Sequence, residues 1–134
     1  MTTESPLTHD GSQCVAAANL WNPATPLYGF GGSGQYLAVF LSAPRTVSIQ
    51  TTQGALCYGV LQNAPAAGQA ADVGIAGITK IVAGAAITAG QELMADVNGR
   101  AVPQTATNRK IGQALESASG ASVVIAMLIY TPNG

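Results

Sequence analysis

From Gln35 onward, apolar residues come in short runs separated by turn signals every eight to twelve positions, the spacing of an all-β chain. Residues 36–41 are apolar up to the stop at Pro44. Residues 46–52 alternate, with Val47, Ile49 and Thr51 on one face and Thr46, Ser48 and Gln50 on the other. Residues 55–61 follow Gly54, and Asn63, Pro65 and Gly68 mark the loop after them. Residues 72–76 and 78–82 are two β-branched stretches with Gly77 between them, which predicts a bulge. Residues 91–96 lead into Asn98-Gly99, the dipeptide suited to a two-residue type I′ hairpin turn, and Arg100-Ala101-Val102 returns. Residues 111–115 come next. Residues 123–130 close the series and are apolar on both faces, as a central strand or one covered on both sides requires.

Nowhere does a 3.6-residue period persist over three turns, and sixteen glycines scattered through the chain oppose long helices. The pattern therefore predicts a mainly β protein, a small single-domain barrel or sandwich-like fold over residues 35–134. A faint internal echo runs through it: Gly59-Val60-Leu61 with Val73-Gly74-Ile75, then Gly112-Gln113-Ala114-Leu115 with Val123-Val124-Ile125. Two hairpins built alike would explain it, and so would chance resemblance in an Ala/Gly-rich text.

Residues 1–34 read differently, as an irregular N-terminal arm. They hold Pro6, Pro23, Pro26 and the turn-rich Gly29-Phe30-Gly31-Gly32-Ser33-Gly34, with little periodicity. The Ala-rich patch at residues 14–20 follows Ser12 and predicts a helical turn or two. The arm also carries Leu7, Leu20, Trp21, Leu27, Tyr28 and Phe30. Apolar groups in such an arm either fold back on the strand core or anchor the arm to another protein, which makes these six the candidate contact residues.

Composition narrows the function. Only 8% of the 134 residues are charged, against roughly 25% in an average globular protein. With 48% hydrophobic residues, the chain is not of the disordered class. A net charge of −1 gives no basic field for nucleic acid, and the longest apolar run, residues 123–130, is too short to span a membrane as a helix. A compact monomer of this mass exposes about 6,500 Å², so each charge serves about 600 Å². That sparse coat favours burial of surface in subunit contacts. The first ten residues lack the basic and apolar regions of a secretory signal. Cys14 and Cys57 have no close-spaced partners; the sequence leaves one disulfide between them open, and the absent signal favours two reduced, partly buried thiols.

Catalytic chemistry finds little footing. The single histidine, His9, sits in the irregular arm between Thr8 and Asp10, where catalytic geometry is hard to hold. Glu92 and Asp96, four apart on a strand, lie about 13 Å from one another and read as solvent-facing acids. Gly29-x-Gly31-x-x-Gly34 matches the dinucleotide fingerprint in letters. Yet Pro23 and Pro26 precede it, a β-like run follows it, and the next acid is Asp72. No catalytic residue, cofactor or metal site is expected.

Four blocks in order carry a family resemblance. They are Gly59-Val60-Leu61-Gln62-Asn63-Ala64-Pro65-Ala66-Ala67-Gly68-Gln69-Ala70-Ala71-Asp72-Val73; Val82-Ala83-Gly84-Ala85-Ala86-Ile87-Thr88-Ala89-Gly90; Asp96-Val97-Asn98-Gly99-Arg100-Ala101-Val102; and Ile111-Gly112-Gln113-Ala114-Leu115-Glu116. Together they resemble the capsid cement, or head decoration, proteins of tailed bacteriophages. The resemblance implies a β-rich, non-enzymatic structural protein that binds the outside of the assembled head, commonly as a homotrimer at threefold or quasi-threefold sites. It implies the major capsid protein as partner, with no nucleic acid or membrane, and a place in the virion after synthesis in the host cytoplasm. Family N-terminal segments often contact the shell. The alternative is a carbohydrate- or receptor-binding module on the virion tail or surface, for which the core strands offer chiefly Tyr36, Tyr58 and Tyr130.

Overall fold

The computed structural model of the protein describes residues 7–8, 14–17 and 27–129. Within these the chain is almost entirely β: β1 (Leu7–Thr8), β2 (Val15–Ala16), β3 (Ala38–Ala43), β4 (Thr46–Ile49), β5 (Gly59–Leu61), β6 (Val73–Val82), β7 (Glu92–Ala95), β8 (Ala101–Pro103), β9 (Gly112–Ala114) and β10 (Val124–Ile129). A single 3-10 turn at Phe30–Gly32 is the only helical piece among the described residues. Hydrogen bonds join the strands in the order β2-β4-β3-β5-β6-β10-β9-β7-β8, and β1 also pairs with β6. The sheet is mixed, because β2 runs parallel to β4 while the other pairs are antiparallel.

The ten-residue β6 divides this sheet into two halves. Its first residues pair with β5, and its last six, from Gly77 to Val82, pair with the whole of β10. The bulge expected at Gly77 does not occur. The strand continues through that residue at φ +87°, and what changes there is the neighbour. The reason is partner supply: two strands from distant parts of the chain claim successive stretches of one long strand.

The two halves also pack together. Ala38 and Val60 of the first half lie in one buried cluster with Ile81, Leu93, Ala95, Ile125 and Met127 of the second. A smaller cluster holds Cys14, Ala16, Val39, Val47, Leu61, Ala71 and Val73. Backbone bonds cross as well: Ala38 N–H donates to Gly99 O at 2.7 Å, and Gly54 N–H to Ala95 O at 2.9 Å. The chain adopts the predicted mainly β class, as one open mixed sheet rather than a closed barrel or two separate sheets.

Local differences have local causes. The helical turn expected near residues 14–20 is instead strand at Val15 and Ala16, because Arg45 O and Val47 O accept hydrogen bonds from Val15 N–H and Ala17 N–H. Residues 18–20 lie outside the described residues. Strand β4 stops at Ile49 because Gln50 turns inward: its Oε1 accepts from Thr51 and Thr52 N–H, and its Nε2 donates to Leu56 O. Strand β10 is central, between β6 and β9. Only Ile125, Met127 and Ile129 on it face the core, and Leu128 on its other face is 37% exposed.

Candidate functional site

The hairpin joining β7 to β8 is built on Asp96. Its Oδ1 accepts hydrogen bonds from Asn98 N–H and Arg100 N–H, both at 2.8 Å, and its Oδ2 accepts from Arg100 Nε at 3.2 Å. Gly99 N–H donates to Asp96 O at 3.2 Å, and Asp96 N–H to Arg100 O at 2.8 Å. The loop thus spans Val97, Asn98 and Gly99. Only Gly99 of the three has positive φ, at +79°, so the turn is the three-residue kind with glycine at the left-handed position. The expected two-residue turn is longer by one because the Asp96 side chain supplies the acceptors that would otherwise be backbone.

Asp96 is therefore buried rather than solvent-facing as its strand position predicted, and its charge is met by Arg100. Glu92 is exposed and pairs with Lys110 at 3.1 Å. Over Arg100 lies Tyr28, with the guanidinium carbon 4.6 Å from the ring centroid. Tyr28 is 53% exposed, as is Val97 in the turn. Tyr28 and Arg100 thus form a ring-over-guanidinium pair beside the Asp96 turn.

A second feature lies at the end of β3. Phe40, Leu41, Leu56, Cys57 and Tyr58 line a groove of about 430 Å³. Leu41 and Leu56 are exposed at its rim. The Cys57 thiol is pushed above its ordinary value by burial, with its contact to Gln50 opposing in part. Cys57 and Cys14 are both unbonded. Leu115 and Leu128 are exposed elsewhere on the surface.

Of the six arm residues singled out in the sequence, four lie among the described residues, in different settings. Leu27 is half-buried and packs against the smaller cluster. Tyr28 is exposed. Leu7 lies in β1 against β6, and Phe30 opens the 3-10 turn. Leu20 and Trp21 lie outside the described residues, as do His9 and Tyr130. Sequence reading missed Arg100, although its place just after Asn98-Gly99 marks it as the residue a returning hairpin would hold. Leu41 and Leu56 gave no signal, since apolar residues in strand-like runs are expected inside.

Among the described residues, no three His, Cys, Asp or Glu side chains gather as a metal site would require. No described helix is long and apolar enough to cross a membrane.

Comparison with known proteins adds to this. The family model described as phage cement protein matches residues 38–129, which run from the start of β3 to the end of β10. The crystal structure of the head fiber gp8.5 N base in bacteriophage phi29 shares the fold, with a TM-score of 0.61 at 19% identity, over 94% of this chain and 93% of that one. No curated protein matches the chain.

Proposed function

The chain belongs to the phage cement protein family, a family of structural proteins of the phage head, and from that premise we propose that it binds the outer surface of the assembled head and stabilises it. The observation that carries this reading is the extent of the match: it covers every strand from β3 to β10. The surface agrees in character. Charge is sparse, and Leu41, Leu56, Val97, Leu115, Leu128 and Tyr28 are exposed.

In this reading the major capsid protein is the partner and the bound form is a homotrimer at threefold or quasi-threefold sites. No catalysis is involved. Many weak contacts sum over many copies, so that avidity replaces single-site affinity. A ligand that binds the assembled shell and not its free subunits stabilises assembly by mass action. The N-terminal arm contributes through Leu20, Trp21 and Tyr28. Deleting residues 1–20 would test that poorly, because it also removes β1 and β2 from the sheet. Paired alanine substitution of Leu20 and Trp21 tests it better.

The decisive experiment adds purified chain to phage heads that lack it and images them by electron microscopy. Density on the outer surface with threefold symmetry, and heads that retain their DNA to a higher temperature, are expected. Bare heads at saturating protein would overturn the proposal.

A further inference from the structure

Arg100 is held in an unusual way for a surface cation. Its Nε is bound to Asp96 Oδ2, its backbone N–H to Asp96 Oδ1, and its guanidinium plane carries the Tyr28 ring. The side chain is only 15% exposed, so little rotamer freedom is left to lose. Among the described residues nothing accepts a hydrogen bond from its two Nη groups. No buried side-chain nitrogen lacks a partner either, so those groups open to solvent. Asp96 takes the Arg100 Nε and two backbone N–H groups, and no Nη.

The geometry points to Arg100 as a preset receptor for a carboxylate of the head protein, with the Tyr28 ring as its apolar rim. This deepens the head-binding proposal and rests on it. A fixed guanidinium with free Nη donors fits a carboxylate in a two-pronged, charge-assisted pair. Arginine and tyrosine are also the side chains that most often dominate protein interfaces, and preorganisation lowers the entropy lost on docking.

The carboxylate belongs to the head rather than to a second copy of this chain, because the described acids are nearly all engaged. Glu92 has Lys110, Asp96 has Arg100 itself, and Glu116 accepts the Ala126 N–H at 2.7 Å. Among the described carboxylates Asp72 alone has no bond to its side chain, so of these residues it is the one a contact between copies would use.

The test compares binding to heads lacking the protein for wild type, Arg100→Gln, Arg100→Lys, Tyr28→Ala and Asp72→Asn, with sedimentation to read the oligomeric state. Expected is a loss of tenfold or more for Arg100→Gln, most of that loss for Arg100→Lys, and several-fold for Tyr28→Ala. Asp72→Asn should bind as wild type, and wild-type affinity should fall as salt is raised. Tyr28→Ala leaves the Asp96 turn bonds in place, so it remains decisive if Arg100→Gln melts early. Wild-type binding with Arg100→Gln and Tyr28→Ala undiminished overturns this contact alone. A matching loss in Asp72→Asn, or dissociation of an oligomer by Arg100→Gln, assigns the contact to a second copy and also overturns it. Wild-type protein that leaves the heads bare overturns the head-binding proposal and this contact with it.

Discussion

In the second half of the sheet, β10 is paired along its whole length with β6 and over its last three residues with β9, above a core containing Leu93, Ile125 and Met127. In the first half, β3 and β5 share two residue pairs, and β2 contributes two residues on β4. The second half comes from one continuous stretch of chain after Gly77. The first is assembled from Leu7–Thr8, Val15–Ala16 and segments as far along as Ala76. The difference teaches that one sheet can join strands paired along their full length with short pieces gathered from distant parts of the chain. Neither cluster comes from one stretch of chain alone: the larger takes Ala38 and Val60 from the first half, and the smaller takes Cys14 and Ala16 from the arm.

The largest expected effects probe those clusters. Leu93→Ala and Leu61→Ala each remove a fully buried leucine, one per cluster, and should each cost about 2–5 kcal/mol in denaturant unfolding. The Leu93 variant should lose more, because its cavity opens in the larger cluster. Both should unfold in one transition, since β6 belongs to both halves. Two separate transitions in either variant would break the comparison.

Next comes the joint between the halves. Gly99→Val places a β-branched side chain at φ +79°, with Cβ 2.9 Å from Ile49 Cγ2 and 3.0 Å from Ala38 O. Strain and crowding should cost about 1–3 kcal/mol, read as a lowered melting temperature. An unchanged melt would show that the hairpin tip does not rest on β3.

The echo in the sequence sharpens the comparison further. Gly59 opens β5 and Gly112 opens β9, and a Cβ on either would press on a carbonyl of the partner strand, Gly74 O or Leu128 O. The two hairpins are alike in this respect. Alanine at each should cost about 1–3 kcal/mol by overpacking. Gly59→Ala should cost the more. Its new methyl also meets the stiff Val73 at 2.7 Å, whereas Gly112→Ala meets the adaptable Met127 at 2.8 Å. The opposite order would mean that the larger cluster resists change more than its methionine yields.

The smallest effect is in pH. Burial raises the Cys57 thiol above 9.0, so the folded state holds its proton more tightly than the unfolded chain does. That contribution is fully present below pH 9 and is lost as pH rises through the folded-state value. Cys57→Ala should therefore lose less stability than wild type between pH 8 and pH 10, measured by denaturant midpoint. Equal losses would show that the thiol stays accessible to water. Burial raises Cys14 likewise, with Arg45 opposing, and Cys14→Ala gives the same reading in the other half.

The sequence by itself determined the class of structure and the position of most strands. Alternation at residues 46–49, the apolar run around Ile125 and Met127, and the turn pair Asn98-Gly99 each report burial or backbone preference over a few residues, and such local quantities survive in a single chain. The family blocks from Gly59 to Glu116 lie in the same well-patterned region, which is why head association was legible too. Tertiary structure decided what depends on a partner from elsewhere. Val15 and Ala16 became strand because β4 offers carbonyls, Gly77 became a handover rather than a bulge, and the Asp96 side chain lengthened the turn it supports. Arg100 shows the same rule at the candidate site. Its letter says only that it is a cation. Its fixed guanidinium and free Nη donors come from Asp96 four residues back and Tyr28 in the distant arm, which no periodicity brings together.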